Sequence, residues 1–129
     1  MLYHPLLVHF PIAFYFLELL LLGMWAFKNE AEYRRFALFV FRLGYLFMLA
    51  AMLSGYVDAG ARFPPLRPVR PHFFAAFSVF VLYTIRAVYW RRAKEEQKSY
   101  RAVLILGALL GNALVALAGF LGGKLVYTG

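Results

Sequence analysis

Four predominantly apolar blocks, Leu6–Phe27, Ala37–Val57, His72–Trp90 and Ala102–Leu121, of 22, 21, 19 and 20 residues, decide most of what this chain can fold into. A helix rises roughly 1.5 Å per residue, so about 20 residues cross a hydrocarbon core of about 30 Å, and each block is long enough to span a bilayer. Together they take 82 of 129 residues, leaving 47 for two termini and three connections and no room for a soluble domain. The expected fold is an all-α integral membrane four-helix bundle. It forms a single domain over residues 1–129 and runs up-down-up-down, with helices at about 5–27, 36–58, 71–91 and 101–122. A soluble enzyme is excluded.

Composition narrows the chemistry further. Cysteine is absent, which removes disulfides, thiolate zinc sites, iron–sulfur ligation and covalent haem attachment through CxxCH. The first block is longer than a signal-peptide core and runs into Trp25-Ala26-Phe27-Lys28 without a small-x-small cleavage site, so it reads as a retained helix. The formal net charge of +8 does not point to nucleic acid, because the basic residues flank the apolar blocks instead of forming one patch.

Those flanking charges set an orientation. Lys28, Arg34 and Arg35 in the first connection and Arg91, Arg92, Lys94, Lys98 and Arg101 in the third share one face with Arg42 and Arg86, which lie one or two turns inside it and can snorkel outward. The other face has only Arg62, Arg67, Arg70 and Lys124. The positive-inside rule then expects the first and third connections in the cytoplasm and both termini outside. The second connection, Gly60–Pro71, carries four prolines and reads as an ordered link.

The few polar residues inside or beside the spans are the functional candidates. His4 and His9 begin the first helix and His72 begins the third, so an up-down-up-down path puts all three histidines at the outer level. Pro11 frees the carbonyl of Leu7 and is expected to bend the first turns, aiming His9 inward towards His72. Ala13, Ala75 and Ala76 leave either room for a flat macrocycle or a close helix contact beside them. Two neutral imidazoles, no cysteine and an apolar aromatic wall fit a b-type haem held by His9 and His72, with His4 as a substitute ligand or partner. Arg62, Arg67 and Arg70 are then placed to pair with the haem propionates. Two other readings stay open: interfacial histidines bonded to backbone or lipid, and a three-histidine site for zinc or copper.

Glu18, near the middle of the first helix, needs a counter-charge in lipid; a structural ion pair with Arg42 is expected, with Arg86 as competitor. Asn112 reads as an interhelical hydrogen bonder. Gly107-xxx-Gly111, Ala118-Gly119, Gly122-Gly123 and Ala51-xxx-Gly55 allow close helix approach, within the bundle or in a homodimer. Tyr3, Tyr56 and Tyr127 at one end and Trp25, Tyr89 and Trp90 at the other read as aromatic belts.

The stretches His4-Pro-Leu-Leu-Val-His-Phe-Pro-Ile-Ala13 and Gly122-Gly-Lys-Leu-Val-Tyr127, with Gly55-Tyr-Val-Asp58 and His72 between them, resemble a family of small prokaryotic four-helix membrane proteins of unknown function. Its pattern is HPxxVHFPIA at the start, a glycine–acid stretch ending the second helix, a histidine opening the third, and GGxLVY after the fourth. The resemblance spans the whole chain. It implies a redox setting and a haem-binding membrane anchor, since that domain is found joined to Rieske or cytochrome modules, and it matches His9 and His72 to the ligands and His4 to the first histidine. Lys124 stands where the family often has an acidic residue.

The resulting expectation is a small membrane cytochrome that transfers electrons, working with a redox partner protein or quinone, and not an enzyme in its own right. The alternative is a cofactor-free structural or assembly subunit of a larger membrane complex.

Overall fold

The computed structural model describes the backbone of residues 3–58 and 70–128 and the side chains of residues 9–57 and 73–121. Four helices follow in order: α1 (Tyr3–Lys28), α2 (Ala31–Asp58), α3 (Arg70–Arg92) and α4 (Tyr100–Thr128). No strand occurs among the described residues. Each helix contains a stretch long and apolar enough to cross a membrane: His9–Lys28, Ala31–Val57, Phe73–Arg92 and Tyr100–Leu121.

All four helices outrun their apolar blocks, α2 and α4 by the most. α2 begins at Ala31, five residues before the expected start, because Ala31-Glu32-Tyr33-Arg34-Arg35 are good helix formers and Glu32 lies favourably in the positive first turn. Asn29 makes the reversal possible. It sits at φ 57° in the left-handed region, which asparagine tolerates better than most residues, and its N–H donates to the Trp25 carbonyl (2.7 Å), closing α1. At the far end, α4 carries on through Gly122 and Gly123, since glycine does not end a helix whose backbone has no water to bond instead.

Packing forms two antiparallel hairpins, α1 with α2 and α3 with α4, joined chiefly by α1 against α4; α2 and α3 share the narrowest contact. Buried positions repeat at alternating spacings of three and four: Pro11, Tyr15, Glu18, Leu22 and Trp25 on α1, Ala37, Phe41, Gly44, Met48 and Ala51 on α2, and Val79, Tyr83, Arg86 and Trp90 on α3. That is the seam of left-handed helix packing. The outer faces carry Phe16, Leu20, Phe36, Leu53, Ile85 and Leu106, all exposed, as a chain dissolved in lipid requires. Polarity is thus inverted relative to a soluble bundle, and the only two buried charged side chains among the described residues, Glu18 and Arg86, lie inside.

Candidate functional site

The centre of the bundle is organised by one ion pair. Arg86 of α3 grips Glu18 of α1 with both terminal nitrogens, Nη1 to Oε1 at 2.9 Å and Nη2 to Oε2 at 2.5 Å. Trp90 Nε1 donates to Oε2 at 3.4 Å and Arg86 Nη2 reaches the Leu104 carbonyl at 3.5 Å. The guanidinium also lies over the rings of Phe41 (4.9 Å) and Tyr83 (5.2 Å). With Glu18 0% and Arg86 5% exposed, neither charge has solvent, so the fork geometry and the ring faces must replace it. Arg42, the expected partner, is exposed on α2. The correction has a simple cause: Arg42 follows Phe41 and so lies about 100° round the helix from the buried seam, whereas Arg86 falls on the seam between Val79, Tyr83 and Trp90.

An aromatic layer closes the bundle next to this pair. Tyr15 and Tyr83 stack with centroids 3.7 Å apart across the diagonal between α1 and α3. Each ring is received by a glycine: a Cβ on Gly44 would lie 2.8 Å from the Tyr15 ring, and a Cβ on Gly111 would collide with Tyr83. Gly107 likewise faces the Arg86 side chain. The Gly107-xxx-Gly111 face therefore packs inside the monomer. Tyr15 donates to Met48 Sδ (3.5 Å), while the buried Tyr83 hydroxyl has no hydrogen-bond partner among the described residues. Asn112 Nδ2 donates to the Tyr15 carbonyl of α1 (3.3 Å) and to Ala108 (2.8 Å), the interhelical role expected of it.

Trp25 and Trp90 are buried, not interfacial. Trp25 packs edge-on against Tyr100 (6.0 Å) and under Arg101 (4.6 Å). Sequence reasoning missed Trp90 as a ligand of Glu18 and Tyr15 and Tyr83 as a unit; their place on the same three-four seam was the available signal.

From the Tyr15–Gly44–Tyr83–Gly111 layer the helix register can be followed towards the end of the bundle that holds both termini. Seven residues on, two turns, stand Val8, Ala51, Ala76 and Ala118; eleven residues on, three turns, stand His4, Gly55, His72 and Gly122. The separation of 68 residues that joins Glu18 to Arg86 and Tyr15 to Tyr83 also separates His4 from His72. The side chains of His4, His72 and Arg70 lie outside the described residues, as do Arg62 and Arg67 altogether. His9 is described and is exposed on α1, off the seam that carries Pro11 and Tyr15. Pro11 is itself buried on the seam, α1 continues through it, and a residue two positions away is rotated about 200° off that seam. No group of three metal-ligating side chains occurs among the described residues.

Comparison with known proteins agrees with this architecture. The family described as Predicted membrane protein (DUF2231) matches residues 3–129. No curated protein and no solved structure matches. Four apolar spans around a buried ion pair, matched over almost the full length, make this chain a member of that membrane-protein family.

Proposed function

We propose that this chain is a small b-type cytochrome of a prokaryotic inner membrane, with both termini periplasmic, that holds one haem b near the outer face and passes single electrons. The observation carrying the reading is the register of the terminal layers: two histidines at one level on the diagonal helices α1 and α3, with glycines at that level on α2 and α4 and small residues at the next. Small residues on the intervening helices leave width for a flat macrocycle, and the donors are the neutral imidazoles a low-spin haem takes. The same register favours His4 with His72 over His9 with His72 as the residues that would hold the haem.

When bound, haem iron supplies a one-electron couple. The protein's part is to hold it and to keep water out. His4 and His72 would donate nitrogen lone pairs, Arg62, Arg67 and Arg70 would pair with the propionates, and the stacked Tyr15–Tyr83 layer shuts off the bundle below. All three histidines of the sequence lie on the terminal side of that layer, which supports electron exchange on the outer side, with a partner protein or quinone.

The test is optical. Protein purified in detergent after expression with haem supplementation is expected to show a Soret band that shifts on reduction with dithionite. A colourless, folded protein would refute the proposal and favour a cofactor-free subunit.

A further inference from the structure

Arg42 is the one charged side chain on the lipid-facing surface of the four spans, their terminal turns aside, among the described residues. It is exposed and makes no hydrogen bond or ion pair with any described residue. Its depth is fixed by its neighbours. Phe41 lies under the Arg86 guanidinium, and Gly44 faces Tyr15, so Arg42 stands level with Leu17, beside Glu18. Leu17 is the twelfth residue of the 22-residue apolar block Leu6–Phe27. Arg42 is therefore at mid-span, seven residues and about 10 Å further in than Arg35.

An unpaired guanidinium at that depth is costly and calls for an anion. Around it, Phe39, Arg42, Leu46, Leu49, Leu53 and Tyr56 are all exposed and follow at three-four spacing, a second seam on the outer side of α2. We infer that this seam docks a membrane-spanning helix of another protein, one that carries a carboxylate near its middle to pair with Arg42. A second copy of this chain does not fit. Glu18 is already committed to Arg86, Glu30, Glu32, Glu95 and Glu96 lie at the end of the bundle with the two short connections, and Asp58 closes α2 at the other. Lipid phosphate lies at the interface, about two helical turns away. The inference holds whether or not a haem is bound.

The experiment uses synthetic leucine–alanine transmembrane helices, acceptor-labelled, in phosphatidylcholine vesicles with the full chain. The chain has no native cysteine, so exposed Lys98, replaced by cysteine, takes the donor dye. Three peptides are compared: glutamate at the centre, glutamine at the centre, and glutamate one turn from the end. Energy transfer should report association about tenfold tighter for the central glutamate than for the other two, and Arg42→Gln should abolish the difference while leaving helical content unchanged. Three results would each overturn the inference: equal binding of all peptides; preference for the terminal glutamate, or loss of the preference when phosphatidylglycerol is added, which would make lipid phosphate the occupant; and chain–chain transfer that Arg42→Gln removes, which would make it a second copy.

Discussion

Replacing Arg86 with leucine tests how the bundle tolerates charge in its core. Glu18 would keep one contact, the 3.4 Å bond from Trp90, with no solvent to compensate, and removal of one partner of a buried pair typically costs about 3–5 kcal/mol. Glu18→Leu should cost somewhat less, because the guanidinium retains the Leu104 carbonyl and the faces of Phe41 and Tyr83. The double leucine variant removes both charges and fills similar volume, so it should lie within about 1 kcal/mol of the parent or above it. The cycle thus predicts a coupling of at least about 3 kcal/mol, far beyond the few tenths expected of independent sites. Reversible unfolding in mixed detergent–SDS micelles, followed by tryptophan fluorescence, provides the free energies. Arg42→Leu is the control and should not destabilise the bundle, since Arg42 is exposed and lies off the buried seam of α2. If the two single effects simply add in the double variant, or if Arg42→Leu costs as much as Arg86→Leu, the ion-pair assignment is refuted.

Three further outcomes follow from the packing. Gly44→Ala places a methyl 2.8 Å from the Tyr15 ring and should cost about 1–3 kcal/mol in the same assay, whereas Gly119→Ala, with nothing within 4 Å, should be neutral or slightly stabilising. Tyr83→Phe removes a buried hydroxyl that has no hydrogen-bond partner among the described residues, so it should not destabilise and is expected to gain up to about 1 kcal/mol. Asn112→Leu loses the bond to the Tyr15 carbonyl and should cost about 0.6 kcal/mol, the average for an interhelical bond in lipid.

The fold was legible because hydrocarbon leaves few choices: twenty apolar residues can only be a helix, and short connections can only make neighbours antiparallel. Helix ends were less legible. Ala31–Arg35 carries charge and so falls outside an apolar block, yet it is helical because α2 leaves the lipid without unwinding. At the site, depth and phase gave different answers. Judged by depth, Arg42 and Arg86 are equivalent partners for Glu18; judged by phase on the three-four seam, only Arg86 faces inward. His9 shows the same effect. It lies inside the apolar block, but one helix side away from Pro11 and Tyr15, while His4 keeps their register. Two of the expected belt aromatics were misread for a related reason: Trp25 and Trp90 are at belt depth but on buried phases, one against Tyr100 and the other on Glu18.

The central claim is that the layer of His4, Gly55, His72 and Gly122 holds a haem, and its most direct test is the absorption spectrum of three single variants beside the parent. His4→Ala and His72→Ala are each predicted to lose the low-spin Soret and α bands, or to turn high-spin, while His9→Ala keeps the parent spectrum. Loss of the bands in His9→Ala with retention in His4→Ala would contradict the register argument, and a parent protein without a Soret band would contradict the claim itself.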